Sequence, residues 1–235
     1  MPDFKVVVAS RPPTPPEAGA PTMVAIPAGT FMMGSADGSP DEKPVHAVTL
    51  GAFELDANEV TVRDYKTCVD TAACREPDIG VDCNWGKRDR GEHPINCVSW
   101  NDAVAYCTFA KKRLPTEEEW EYAARGTVDA RYPWGNAPPG ELCWKRHVGE
   151  GTCPVGSFAP STTALGVHDM AGNVWEWTSN RFCPYSSKHC AREARVYRGG
   201  AWLSSSPEAI VAWSRQKDEP TSRSSVVGFR CARDS

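Results

Sequence analysis

The sequence predicts an α+β chain, irregular and loop-rich, with few short helices and strands. Three observations carry this. Nineteen glycines and 20 prolines are spread along the 235 residues, which works against long uninterrupted helices. Helical periodicity is confined to three short windows between Thr61 and Arg125, and beyond them the chain reads as turns and short strands. Nine tryptophans within a 40% hydrophobic composition are ample for one sizeable core, so no second core is needed.

The elements follow in order. Residues 1–22, with Arg11-Pro12-Pro13-Thr14-Pro15-Pro16, read as a Pro-rich disordered linker, because this composition stays extended and buries nothing. A single domain is expected over residues 23–235. Met23–Ile26 and Thr30–Met33 read as short strands around Pro27-Ala28-Gly29, and Val45–Leu50 alternates like a third. Thr61 can cap a helix from Val62 to Thr71, and Ser99 or Asn101 one from Asp102 to Ala110. Thr116-Glu117-Glu118-Glu119 is a capping box opening Trp120 to Arg125. In the second helix Ala103, Val104, Cys107, Phe109 and Ala110 are expected to face inward. Arg195–Arg198 and Val226–Cys231 read as later strands, and no internal repeat is visible.

Composition removes several functions. A formal charge of −4, with 26 Lys and Arg scattered among 30 Asp and Glu, gives no footprint for nucleic acid. No apolar run approaches the ~18 residues of a membrane span. Val6-Val7-Val8 is too short for a signal-peptide core, so an export signal or anchor would lie outside this sequence.

Ten cysteines without a CxxC pair point to disulfides in an oxidising, extracytoplasmic compartment: secreted, periplasmic or cell-surface. Cys68 with Cys74, Cys143 with Cys153 and Cys183 with Cys190 each enclose a short loop, and Cys83 with Cys97 a slightly longer one. That leaves Cys107 and Cys231, although spacing alone does not fix connectivity.

Gly166 to Trp177 gathers two carboxylates, an amide and a glycine around a turn flanked by tryptophans. Hard cations take oxygen donors of this kind, and calcium is the natural candidate, while a plain hairpin turn capped by Asp169 and Glu176 explains the same residues. No H-E-x-x-H, G-x-S-x-G, Walker loop or G-x-G-x-x-G occurs. The histidines, 46, 93, 147, 168 and 189, stand alone. Glu117-Glu118-Glu119 reads as a dipole-compensating first turn, and Ser204-Ser205-Ser206 as a polar loop.

Several ordered blocks together resemble the formylglycine-generating enzyme (sulfatase-modifying factor) family. They are Ile26 to Ser35, Glu59-Val60-Thr61, Pro94 to Trp100, Lys112 to Ala123, Tyr132-Pro133-Trp134-Gly135, Gly172 to Thr178, Arg198-Gly199-Gly200-Ala201-Trp202 and Gly228-Phe229-Arg230-Cys231. The resemblance implies a C-type-lectin-like topology and a bridge from Cys107 to Cys231. It also implies a structural calcium held by Asp169 and Glu176 with carbonyls of Gly172 and Val174. A second family calcium site is not recoverable, because Leu142 and Cys143 precede Trp144 in a shortened loop closed by Cys153.

The departure that bears on function follows the double glycine. Members of the family that convert a cysteine to formylglycine hold copper(I) with two thiolates, and the matching positions here are Ser204 and Ala209. The serine that follows the glycines in those members is Ala201. No copper is expected, and the sequence leans away from an enzyme. The expected role is a binding module with a candidate ligand face at Trp175, Trp202, Ser204, Ser205, Ser206 and Trp213, for a peptide, protein or glycan. A divergent oxidase, of the formylglycine-generating or non-haem iron sulfoxide-synthase type, is the alternative. A lectin-fold binding protein diversified by a retroelement is a second one. The Pro-rich tether suggests part of a larger anchored or fused polypeptide.

Overall fold

The computed structural model describes residues 22–145, 151–187, 190 and 193–235. The expected linker lies outside these residues except for Thr22, as do His147 and His189.

The chain begins with β1 (Met23–Ile26), β2 (Gly29–Met33), β3 (His46–Leu50) and β4 (Phe53–Asp56). β2 and β3 form an antiparallel pair of their own, while β4 lies between β1 and the carboxy-terminal β9 (Ala232–Asp234). Three helices follow: α1 (Val62–Asp70), α2 (Trp100–Phe109) and α3 (Glu117–Arg125). Each starts at a capping box. The hydroxyls of Thr61, Ser99 and Thr116 accept the N–H groups of Asp64, Asp102 and Glu119, whose carboxylates accept from the cap backbone in return.

The remaining sheet has the order β7 (Arg215–Asp218), β6 (Arg195–Arg198), β5 (Trp175–Arg181), β8 (Val227–Gly228), with only β5 and β8 parallel. Trp175, Glu176, Trp177 and Thr178 of β5 are all buried, so this strand is covered on both faces. Short 3₁₀ turns and loops connect the rest.

Two readings are corrected by the packing. In α2 it is Tyr106, stacked on Tyr65 with centroids 5.6 Å apart, that faces the core with Ala103 and Cys107; Phe109 is 39% exposed. Phe109 follows Cys107 by two residues, about 200° around the helix, which turns it away from that face. Of the expected strand Val226–Cys231, only Val227–Gly228 is a strand. Val227–Gly228 pairs with β5, and the chain then crosses to β9. Gly228 makes the crossing compact, since a β-carbon there would sit 2.4 Å from the Ile95 carbonyl oxygen.

Two large apolar clusters form the interior. One joins α1, α2 and β5 through Tyr65, Tyr106, Trp177 and Phe229; the other joins β2, β4 and α3 through Phe31, Leu55 and Trp120. Five disulfides pair Cys68–Cys74, Cys83–Cys97, Cys107–Cys231, Cys143–Cys153 and Cys183–Cys190. Cys107–Cys231 ties α2 to the carboxy terminus across 124 residues. Among the described residues no helix is long and apolar enough to cross a membrane.

Candidate functional site

β5 and the turn before it position one buried polar cluster. Arg230, fully enclosed, forks onto Glu176 with Nε 2.6 Å from Oε2 and Nη2 2.7 Å from Oε1. Trp120 Nε1 donates to the same Oε2 at 2.8 Å. Arg230 also donates to the carbonyls of Asp56, Ala57 and His168, so this one side chain joins four segments of the chain.

Two more carboxylates stand close by. Asp169, 4% exposed, accepts the Gly156 N–H at 2.6 Å. Glu59, 1% exposed, accepts Asn173 Nδ2 at 3.2 Å through Oε2, while its Oε1 has no hydrogen-bond partner. Burial raises the pKa of Glu59 well above the ordinary carboxylate range, and the negative charges of Asp169 and Glu176 add to the effect. Burial likewise raises that of Asp169. Three buried carboxylates thus share one guanidinium.

The turn from Asp169 to Asn173 is tightly constrained. Asp169 and Asn173 have φ of 57° and 51°, and Gly172 has φ of 93° with no space for a side chain: a β-carbon would lie 2.6 Å from the Cys143 carbonyl oxygen. Asn173 N donates to Cys143 O at 2.8 Å, and Asn173 Oδ1 accepts Cys153 N at 3.0 Å. The Cys143–Cys153 disulfide therefore clamps this turn. Among the described residues no group of three or more His, Cys, Asp or Glu side chains is arranged to hold a metal. A cation here would need carbonyl oxygens as well as Asp169 and Glu176.

Past β6, Gly199 and Gly200 lead into the segment that holds Ala201, Ser204 and Ala209. Ala201 is buried, and its N–H donates to Ser204 Oγ at 3.0 Å; Ser204 N returns a bond to Ala201 O at 2.9 Å. Ser204 is thus the side chain that closes a tight turn. Ser206 caps the 3₁₀ turn Pro207–Ile210, accepting Glu208 N at 3.2 Å, and Ser205 is exposed. Gly200, φ 77°, lets this turn approach, because a β-carbon there would meet the Ala209 carbonyl oxygen at 2.8 Å.

Ala209 opens onto a cavity of about 780 Å³ that also takes in Trp175, Trp213, Arg131, Glu208 and Arg215. The structure brings Trp175 and Trp213 of the expected face together there. It does not bring Trp202, which is 3% exposed in the core with Nε1 3.3 Å from Ser225 O, nor Ser204, Ser205 or Ser206. The indole of Trp202 belongs to the α1–α2–β5 cluster, which removes it from the surface. Guanidinium groups approach the Trp213 ring, those of Arg125 and Arg131 lying 5.3 and 5.8 Å from its centroid. The other wall is the 37–42 segment, whose Asp41 and Glu42 sequence reasoning did not connect with the site.

A second feature escaped the sequence. The acidic first turn of α3 also enters the interior. Glu117 and Glu119 are buried; Glu117 receives Arg198 Nη1 at 2.6 Å, Arg215 Nη2 at 2.7 Å and Tyr185 Oη at 3.0 Å. Arg198 Nη2 reaches Glu121 at 2.5 Å. Burial opposes the charge on Arg198, and Tyr185, Glu121 and Glu117 more than restore it, holding its pKa above the usual value. This network carries the cavity wall at Arg215.

A lectin-like scaffold, a stapled turn before β5 and a cavity beside a double glycine define the class, and comparison supplies the family. The chain belongs to the sulfatase-modifying factor enzyme 1-like family, whose model matches residues 8–235. It is 33% identical to the inactive C-alpha-formylglycine-generating enzyme 2 of Mus musculus, over 90% of this chain and 85% of that protein. It is 35% identical to the formylglycine-generating enzyme of Thermomonospora curvata, over 100% and 99%. The structure of PvdO from Pseudomonas aeruginosa superposes with a TM-score of 0.76 and 29% identity, covering 91% of this chain and 94% of that one. The fold is accordingly the formylglycine-generating-enzyme type of C-type-lectin-like domain, and its five disulfides fit an oxidising compartment.

Proposed function

We propose that this chain is a sulfatase-modifying-factor domain without formylglycine-forming chemistry, acting outside the cytoplasm as a binding module through the cavity at Trp175 and Trp213. The observation that carries the reading is Ala209 on the cavity wall with Ser204 folded into its own turn. A methyl group offers no ligand, and a hydroxyl engaged by the Ala201 N–H is a poor substitute for the thiolate that copper(I) prefers. The relatives include ones named formylglycine-generating enzyme and ones named inactive, at similar identity, so overall similarity does not choose between the two.

Calcium is the second part of the proposal. The orphaned Oε1 of Glu59, the excess of buried carboxylates around Arg230 and the all-oxygen donor set fit a hard dication. Asp169 and Glu176 would supply carboxylates and Gly172 and Val174 carbonyls. Bound there, the ion would neutralise the cluster and fix the backbone on either side of Trp175. The chain's own residues set the rest: Arg230 orients Glu176, and the Cys143–Cys153 clamp holds the turn.

The test is to incubate oxidatively refolded protein with copper(I), oxygen and a cysteine-containing peptide. Mass spectrometry then follows the aldehyde, with metal analysis and oxygen uptake alongside. No aldehyde and no bound redox metal is the expected result. Stoichiometric copper or iron together with oxygen uptake would establish the divergent oxidase instead.

A further inference from the structure

We propose that the pocket between α1 and the Cys83–Cys97 loop is a separate binding site for an anionic saccharide, going beyond the reading above. The cavity, about 430 Å³, falls within the roughly 300–1,000 Å³ of small-ligand sites and shares no residue with the one at Trp175. Its floor is Trp85 beside Val62, and its rim is Arg63, Lys66, Lys87 and Arg88. Four cations and no carboxylate line it, in a chain whose formal charge is −4.

The floor is built, not incidental. Tyr65 supports the indole of Trp85 edge-on, with centroids 6.2 Å apart and rings at 85°, and Tyr65 is itself fully buried. The preceding residue is locked. Asn84 is 2% exposed; its N–H donates to Asn96 Oδ1 at 2.7 Å, and its amide donates to Pro94 O and Thr152 Oγ1, each at 2.8 Å. The Cys83–Cys97 disulfide closes the loop on the other side. A half-buried aromatic ring held this firmly is a preorganised platform, which lowers the ordering cost of binding.

The rim selects charge. Arg88 is exposed and enters no ion pair among the described residues. Arg63 and Lys66 are paired with Glu92 and Asp70, but all four side chains are more than half exposed, and such pairs yield to a competing anion. An aromatic ring accepts the apolar face of a pyranose, and cations around it select sulfate or carboxylate substituents. A saccharide offers both within one small ligand. A long polyanion would instead meet the negative remainder of the surface.

Isothermal titration and tryptophan fluorescence with a heparin-derived hexasaccharide provide the test. It should bind, with affinity falling as salt rises, while cellohexaose and inorganic sulfate should bind at least tenfold more weakly. Lys66→Gln combined with Arg88→Glu changes two exposed residues and should weaken binding at least tenfold. Trp85→Phe, which keeps a ring on Tyr65, should weaken it severalfold. Equal binding of cellohexaose, equal competition by sulfate alone, tighter binding to phosphatidylserine vesicles, or indifference to the Lys66 and Arg88 changes would each overturn the proposal.

Discussion

Arg198, at the end of β6, and Glu117, in the first turn of α3, meet at 2.6 Å with both side chains sealed from solvent. Their meeting, shared with Arg215 and Glu121, is what allows an acidic helix end to lie in the interior. Glu117→Gln keeps the shape and removes the charge, leaving two buried guanidinium groups with one carboxylate fewer. A loss of about 3–5 kcal/mol in urea unfolding is expected. A change under 1 kcal/mol would mean that Glu121 compensates for both arginines.

The disulfides should differ in weight. Replacing Cys107 and Cys231 by alanine releases a loop of 124 residues and should cost about 5 kcal/mol in the chain-entropy treatment. The same change at Cys68 and Cys74, six residues apart, should cost about 2 kcal/mol. Denaturant midpoints of the two double variants give the ranking directly.

Calcium should raise the melting temperature and bind once per chain. At free calcium 100-fold above its dissociation constant the gain is about 2.7 kcal/mol. Asp169→Ala should abolish the shift, whereas Asp169→Asn, which retains an oxygen donor, should keep part of it. Calorimetry in calcium and in chelator separates the two variants.

His93 sets a pH dependence. Burial, reinforced by the neighbouring Arg90 charge, lowers its pKa to about 4, and its Nδ1 lies 2.9 Å from Thr152 Oγ1. The unfolded chain takes up this proton near pH 6.5 and the folded chain does so only near pH 4. The stabilisation is therefore complete above pH 6.5 and is lost as pH falls toward 4, amounting to no more than about 3 kcal/mol. His93→Gln should flatten the stability profile across that window, as read from urea midpoints at half-unit steps.

Local chemistry made much of the fold legible. Thr61, Ser99 and Thr116 announce their helices because a cap and its partner lie three residues apart. The short cysteine loops are local as well, their partners lying 6, 7 and 10 residues apart. The burial of Glu117 could not be read from its neighbours, since the arginines that meet it lie 81 and 98 residues further on. Trp202 and Trp213 are alike as sequence, yet one is enclosed by the α1–α2–β5 cluster and the other borders the cavity. What distinguishes them is long-range packing. Ala209 was identified by its distance from the double glycine, while its partners at residues 37–42 gave no signal at all.

The tie between Cys143 and Cys153 falls in the shortened loop where the sequence leaves the family's second calcium site unrecoverable. An ion there would come and go with the composition of the surroundings, since occupancy is a matter of concentration. A covalent bond has no such dependence. The turn that carries Asn173 toward Trp175 therefore keeps one of its supports at any dilution, and rinsing or chelation, which empties an ion site, leaves this one in place.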